Sequence, residues 1–154
     1  MNTRLVFDEV RKAWVAATPE EIVRQQLLQN MIHKLDFPKD LLSVEKDIRQ
    51  LPHLLTVSNL PDRRADIICF AKDVHPQHSL YPLLLIECKE ECLDLKAQEQ
   101  LLGYNHYIKA HFVALAGRSE VKLGYYNKDD QCYRFIPYLP SYKSLLSMVQ
   151  NASL

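Results

Sequence analysis

Hydrophobic residues at helical spacing predict the first element of the chain. The string TPEE at 18–21 combines an N-cap threonine, a proline at the first helical position and an acid at the capping-box position. The residues that follow place Val23, Leu27 and Met31 on one stripe. The pattern predicts an amphipathic helix over about 19–35.

Short apolar or alternating runs predict the strands. They lie at 41–50, 65–70, 83–89, 111–116, 121–127 and 131–136. The last two are expected to form a terminal hairpin.

The stretches between these runs predict two loops and two more helices. The segment 51–63 carries two prolines and is expected to be a loop or a ragged hairpin, and the polar stretch 71–82 a loop. Helical spacing predicts a second helix over 94–109, and a short one begins at Ser141. This order is typical of an α/β (α+β) fold, a mixed sheet flanked by helices.

Length and composition narrow the class of protein. A chain of 154 residues is long enough to bury a hydrophobic core without disulfides or a structural metal. No repeat or linker divides it, so we expect one domain, 1–154. Four cysteines without a CxxC pair, a charged N-terminal stretch and no apolar run of membrane length predict a cytoplasmic protein with no membrane partner. The formal net charge is zero, so nucleic-acid binding must be argued from a site.

The strongest chemical signal is a pair of charges at the end of a hydrocarbon strand. Glu87 and Lys89 follow the apolar run 83–86, and side chains two apart on a strand share a face. Charges in such a position are costly without partners. Asp66 begins the preceding strand, so a hairpin would bring it to Glu87. Carboxylate oxygens, together with the Cys88 carbonyl, suit Mg²⁺ or Mn²⁺, and Lys89 could offset charge on a phosphate.

The ordered motifs resemble a known family. The strings VFDEVRKAWVAATPEEIVRQ, SVEKDI, RRADIICF, LLLIECKE and QLLGYN span roughly residues 6–117. In this order they resemble the PD-(D/E)XK nuclease superfamily, in the branch of type I restriction enzyme R-subunit N-terminal domains. The resemblance implies a restriction endonuclease-like αβββαβ core over about 19–117. Its central mixed sheet would have four strands, with the hairpin and short helix of 118–154 added outside it.

The resemblance also implies roles for residues. Asp66 and Glu87 would be metal ligands and Lys89 the catalytic lysine. Gln100 and Tyr104 match a Q-x-x-x-Y element and would lie on one helix face. Tyr104 and Lys89 would contact substrate. Independently of the resemblance, Arg64 is expected to contact the phosphate, although paired arginines before a strand are usually solvated.

A glutamate of the first helix is also expected near the metal. Glu20 lies three and seven residues before Val23 and Leu27, which favours it for the buried stripe. Glu21, in contrast, has a role as the capping-box acid. The choice between the two stays open.

Several residues have simpler interpretations. Asp62 lies in a turn-like Leu-Pro-Asp-Arg stretch and is rejected as the motif aspartate. Glu45 is interpreted as a solvated strand residue and Trp14 as core. His75 and His78, with Cys88 and Cys92, offer four zinc ligands only superficially, since the histidines fall in a predicted loop.

Two functions are therefore expected from different classes. The first is a Mg²⁺- or Mn²⁺-dependent nuclease that hydrolyses DNA. For such a nuclease a homodimer is expected, because cutting both strands requires two active sites, or else a separate partner protein. The second is a non-catalytic nucleic-acid-binding or assembly module that retains the fold. The carboxylate and lysine set favours the first, and the neutral charge and the lack of a helicase motor in 154 residues favour the second.

Overall fold

The computed structural model describes residues 3–90 and 92–152. Its helices and strands are, in chain order, β1 (Leu5–Asp8), β2 (Ala13–Ala16), α1 (Pro19–His33), β3 (Leu42–Asp47), β4 (Arg64–His75), β5 (His78–Cys88), α2 (Leu95–Ile108), β6 (Phe112–Ala116), β7 (Val121–Asn127), β8 (Cys132–Ile136) and α3 (Tyr142–Ala152). Three 3₁₀ turns flank β3: Lys39–Leu41, Ile48–Gln50 and Pro52–Leu54. The described residues thus form a mixed α+β fold, as predicted.

One six-stranded sheet organises the molecule, in the order β3-β4-β5-β6-β7-β8. Its strands pair antiparallel except β5 and β6, which are parallel and connected through α2. The expectation of a four-stranded sheet with a separate hairpin is wrong. The hairpin β7–β8 pairs onto β6 because Leu123 and Gly124 are buried there, so it extends the same sheet.

The predicted loop over 71–82 is also wrong, because β4 and β5 run through it as a long hairpin. Ala71 and Tyr81 pair across the strands and are both buried. Pro82 pairs with Phe70 beside an irregularity in the ladder. A residue without an N–H is tolerated at such a point. The hairpin therefore has its turn at Pro76 and Gln77.

Two hydrophobic clusters cover the two faces of the sheet. Residues of α1 and α3 pack on one face, with Leu28, Met31 and Leu145 fully buried against the sheet. Residues of α2 pack on the other, with Leu101 and Ile108 fully buried. No helix of the described segments is long and apolar enough to cross a membrane.

The short sheet β1–β2 was not predicted, and it makes the interpretation of Trp14 as core wrong. The Trp14 side chain lies on this hairpin and is 67% exposed. Its ring packs against Phe7 with the centroids 5.3 Å apart. A pair of aromatic residues on a two-stranded hairpin can contact each other without reaching the core.

The close packing of β7 predicts unequal effects of two glycine substitutions. A Cβ at Gly124 would lie 2.7 Å from Phe135 and 2.8 Å from Val113. Gly124→Ala is expected to lower the free energy of unfolding by about 1–3 kcal/mol through overpacking. Gly103→Ala is the matched control, because a Cβ on this α2 residue meets no described atom within 4 Å beyond its own helix surroundings. It should raise that free energy by roughly 0.5–1 kcal/mol. Urea denaturation of both variants would check this, and equal effects would contradict it.

Candidate active site at the ends of β4 and β5

Asp66 and Glu87 lie side by side at the same end of the β4–β5 hairpin. Ile67 pairs with Ile86, which places the two acids next to each other in the ladder. Both are buried among apolar strand residues. Asp66 is fixed from two directions, since Oδ2 accepts the Cys88 N–H at 2.8 Å and Oδ1 accepts from the Arg24 guanidinium at 2.9 Å.

Burial has a large effect on the pKa of Glu87. Burial, followed by the hydrogen bond and the charge of Asp66, raises the pKa of Glu87 to about 9. The Arg63 guanidinium lies 3.8 Å from Oε1, which is too long for a hydrogen bond. That oxygen has no hydrogen-bond partner among the described residues. At neutral pH Glu87 therefore holds a proton, because its burial and the nearby Asp66 disfavour the charged form of its side chain.

Arg24 is the central cation of the site. Its guanidinium, 4% exposed, contacts Glu21 at 3.0 Å, Glu45 at 3.0 Å and Asp66 at 2.9 Å. Burial alone would lower the pKa of Arg24, but the charges of Asp66 and Glu21 outweigh it and raise that pKa. Arg24 was not among the residues that the sequence predicted for the site. The position of Arg24 next to Val23, on the buried face of α1, could have indicated this role, because a buried charge requires partners.

The charged network continues from α1 to the N-terminal hairpin. Arg11 contacts both Glu21 and Asp8, at 2.6 Å each. Asp8 is fully buried and also accepts from Gln25 at 2.9 Å. Opposite charges thus alternate from Asp8 to Asp66, and they connect the hairpin to the acid pair. No pattern in the sequence indicated this connection.

The two glutamates of α1 are placed differently from the expectation. Thr18 caps α1 as predicted, accepting the Glu21 N–H at 3.2 Å, but the Glu21 carboxylate contacts Arg24 and Arg11 instead of completing a capping box. Placing Glu20 on the buried stripe is wrong, because Glu20 is exposed and Glu21 is buried. Glu20 still borders the acid pair. Partial desolvation and the charge of Asp66 raise its pKa.

Glu45 is exposed as expected, yet it belongs to the site. It lies in β3 between two residues that pair with Ile67 and Ala65, and hence beside Asp66. Besides Arg24, its carboxylate approaches Arg64 at 3.9 Å. Its backbone has a φ of 55°, in the left-handed region that a non-glycine residue rarely adopts.

Tyr104 and Arg63 border the acid pair on the side of α2, and Lys89 lies just beyond the end of β5. Lys89 follows the last residue of β5, its N–H donates to Ala116 at 2.8 Å, and its charge acts on Glu87 and Glu20. The Tyr104 hydroxyl is buried without a hydrogen-bond partner in the described chain. Burial and the charge of Glu87 raise its pKa. Arg63 lies 4.1 Å above the Tyr104 ring, a cation–π contact.

The structure does not bring Gln100 to the acid pair. Gln100 is exposed and Tyr104 is buried, so the two do not share an environment on α2, and Gln100 makes no hydrogen bond to the pair within the described residues. Arg64 is 70% exposed, and its guanidinium lies 3.9 Å from the Glu45 carboxylate. Asp62 is outside the site, as expected, and pairs with Arg49.

Two neighbouring acids with an unpartnered oxygen are chemically suited to a hard divalent cation. Asp66 and Glu87 provide carboxylate oxygens, and a cation beside them would offset their repulsion. Across 3–90 and 92–152, no group of three or more His, Cys, Asp or Glu side chains is placed to hold a metal. The Cys88 carbonyl, which was predicted as a ligand, and water are further oxygen ligands that such a cation accepts.

The comparisons with known proteins identify a family. The family model described as type I restriction enzyme R protein N terminus matches residues 19–140. The chain belongs to this family. No curated protein and no solved structure matches the chain.

The match to the R protein N-terminal family runs from α1 through β8. It therefore covers the acid pair, Arg24, Lys89 and Tyr104, whereas Asp8 and Arg11 precede it. Membership gives the chain a context of restriction enzymes and DNA.

Proposed function

We propose that this chain is a Mg²⁺- or Mn²⁺-dependent nuclease domain of the PD-(D/E)XK type that hydrolyses DNA phosphodiester bonds. The observation that carries the proposal is the buried pair of Asp66 and Glu87, with an unpartnered Glu87 oxygen and Lys89 close by. Removing two acids from water is costly, and a purely structural role gives no reason to place them together. Family membership adds the DNA-related context.

The residues of the chain have distinct parts in this proposal. Asp66 and Glu87, with the Cys88 carbonyl, would hold the metal, which when bound would act as a Lewis acid and activate water. Arg24 and the Cys88 N–H fix the orientation of Asp66. Lys89 offsets negative charge that develops on the phosphate.

The surroundings of the acid pair would contribute to substrate binding. Arg63 and Tyr104 border it on one side, and the exposed Arg64 and Gln100 lie further out, where they could meet the phosphate backbone. Glu20 is the acid of α1 that borders the pair directly, while Glu21 acts through Arg24.

The second candidate is a non-catalytic module that binds DNA or assembles with another protein. The specific observation in its favour is that Arg24 already supplies a positive charge to Asp66, and both Asp66 oxygens are hydrogen-bonded. A site neutralised in this way is stable without metal. A homodimer, or a separate partner that completes the enzyme, is compatible with either candidate.

A cleavage assay separates the two candidates. Linear, circular and single-stranded DNA, with RNA for comparison, would be incubated with Mg²⁺ or Mn²⁺. The nuclease proposal predicts metal-dependent cutting of DNA that falls about 100-fold in Lys89→Ala. Lys72→Ala, a change of an exposed lysine in β4, is the matched control and should cut normally.

The outcomes of this assay are distinct. Equal cutting by the wild type and Lys89→Ala would indicate contamination or a wrong assignment of the lysine. No cutting by any protein would favour the module. Calorimetric titration with Mn²⁺ tests the ligands separately, because binding that survives Asp66→Asn combined with Glu87→Gln would show that they are not the ligands.

A further inference from the structure

Five of the six histidines of the chain gather at the far end of the β4–β5 hairpin. His53, His75, His78 and His106 line an open cavity of about 380 Å³, and His111 lies next to it against Tyr81. His78 begins β5 and Glu87 lies at its other end. Nine residues of strand correspond to roughly 30 Å, so the cavity is separate from the acid pair. Its volume is within the range of about 300–1,000 Å³ typical of small-molecule sites.

The inner wall of the cavity is aromatic and closely packed. The Tyr81 ring is stacked on His75 with the centroids 4.4 Å apart. His53 and His111 contact the same ring at 5.0 and 5.3 Å. The Tyr81 hydroxyl donates to the Lys109 carbonyl at 2.5 Å, which fixes the ring from its edge. Such a wall is preorganised for a flat ring.

Hydrogen bonds at the cavity determine where its histidines can donate. Nε2 of His53 lies 2.6 Å from the Ile108 carbonyl and must carry the proton, since a carbonyl only accepts. The Gln77 N–H donates to Nδ1 of His75 at 3.1 Å, so the neutral His75 ring carries its proton on Nε2. His75 is thus left with a donor that is not used within the hairpin turn.

The residues that line the cavity include a basic side chain and no acidic one among those described. None of the described residues that line it is acidic, and Lys109 adds a permanent positive charge. The charged groups that act on His53 are His78, His75 and Lys109. A zinc site is not indicated, because the described chain has no group of three or more ligands placed for a metal. The ligand chemistry that fits is an anion.

Part of the cavity lining is apolar. Leu54, Val57 and Leu60, all from the segment between β3 and β4, line it together with the aromatic residues. Val57 is 47% exposed, although it is hydrophobic. A ligand for this cavity therefore combines an anionic group with a flat, partly apolar ring.

We propose that this cavity binds a nucleotide unit, with the base against the aromatic wall and the phosphate near Lys109 and His78. Stacking of bases on aromatic side chains combined with cationic contacts to phosphate is the usual chemistry of single-strand recognition. The nucleotide could be free or part of a single strand. This binding does not depend on cleavage at the acid pair.

Calorimetric titration of the full chain with deoxyadenosine 5′-monophosphate tests the proposal. The expected result is binding that is at least about tenfold tighter than that of inorganic phosphate, because phosphate lacks the ring. His78→Gln combined with Lys109→Asn should weaken nucleotide binding by about tenfold or more. Asparagine is chosen because Lys109 has a φ of 60°, which asparagine tolerates. Thermal denaturation would verify that the variant is folded.

Two controls and a second ligand make the test decisive. His33→Gln changes the histidine outside the cavity, and Lys143→Ala changes an exposed lysine of α3, so both should bind nucleotide normally. A short thymidine oligonucleotide that binds much more tightly than the mononucleotide would support a strand as the source, and equal binding would support a free nucleotide. No binding of either ligand by the wild type, or unchanged binding by the folded cavity variant, would overturn the proposal.

Discussion

Arg24→Met is expected to lower the free energy of unfolding by about 3–5 kcal/mol at neutral pH. The substitution keeps much of the side-chain volume and removes the guanidinium. It leaves Asp66 buried without its hydrogen-bonded cation, Glu21 with Arg11 alone, and Glu45 without its contact at 3.0 Å. Urea denaturation in the presence of a chelator, followed by circular dichroism, measures the loss.

The matched control is Arg49→Met. Arg49 also contacts two acids, Asp47 and Asp62, but it is 52% exposed. Its removal should lower the free energy of unfolding far less than that of Arg24, because exposed ion pairs contribute little to stability. Combining Arg24→Met with Asp66→Asn should restore part of the loss, because the unpaired charge is removed as well. A loss in Arg24→Met as small as that in Arg49→Met would show that the network contributes nothing to stability.

Glu87→Gln is expected to stabilise the metal-free protein at alkaline pH and to have little effect at acidic pH. The pKa of Glu87 is about 9 in the folded chain against an ordinary value of 4.5. Between these two values the folded state holds a proton that the unfolded state has released. Stability contributed by Glu87 is therefore present at low pH and is lost as the pH rises through this window, by at most about 1.4 kcal/mol per pH unit.

Denaturation of the wild type and Glu87→Gln at pH 5 and pH 8 measures this effect. The advantage of the variant should grow by roughly 2–4 kcal/mol between the two conditions. Glu99→Gln, a change of an exposed acid on α2, is the control and should follow the wild type. If the free energies of unfolding of the wild type and of Glu87→Gln changed in parallel with pH, ionisation of Glu87 would not destabilise the folded state.

Most of the fold could be predicted because it depends on local patterns. The cap at Thr18 and the apolar stripe of α1 are read directly from the chain, and the structure confirms the helix over Pro19–His33. The strand β7, Val121–Asn127, also agrees with its predicted bounds. The outer half of the β4–β5 hairpin could not be predicted, because its polar residues and Pro82 look like a loop until the pairing of the strands is known.

The residues of the site likewise differ in how far the sequence could predict them. Asp66 and Glu87 could be brought together from sequence because each lies at a strand end, and antiparallel pairing makes such ends adjacent. Arg24 could not be assigned, since its three acids come from three different elements. The exposure of Gln100 was equally unpredictable, because a four-residue spacing gives its neighbour on the helix but not which neighbour is buried.

The left-handed backbone of Glu45 has a consequence for how the sheet ends. β3 is an edge strand, and a regular edge strand offers its free N–H and C=O groups to strands of other molecules. At Glu45 the extended backbone is interrupted by a φ of 55°, and Arg24 holds the residue in place. The contact between Arg24 and Glu45 thereby stabilises an irregularity that makes β3 a poor template for intermolecular strand pairing.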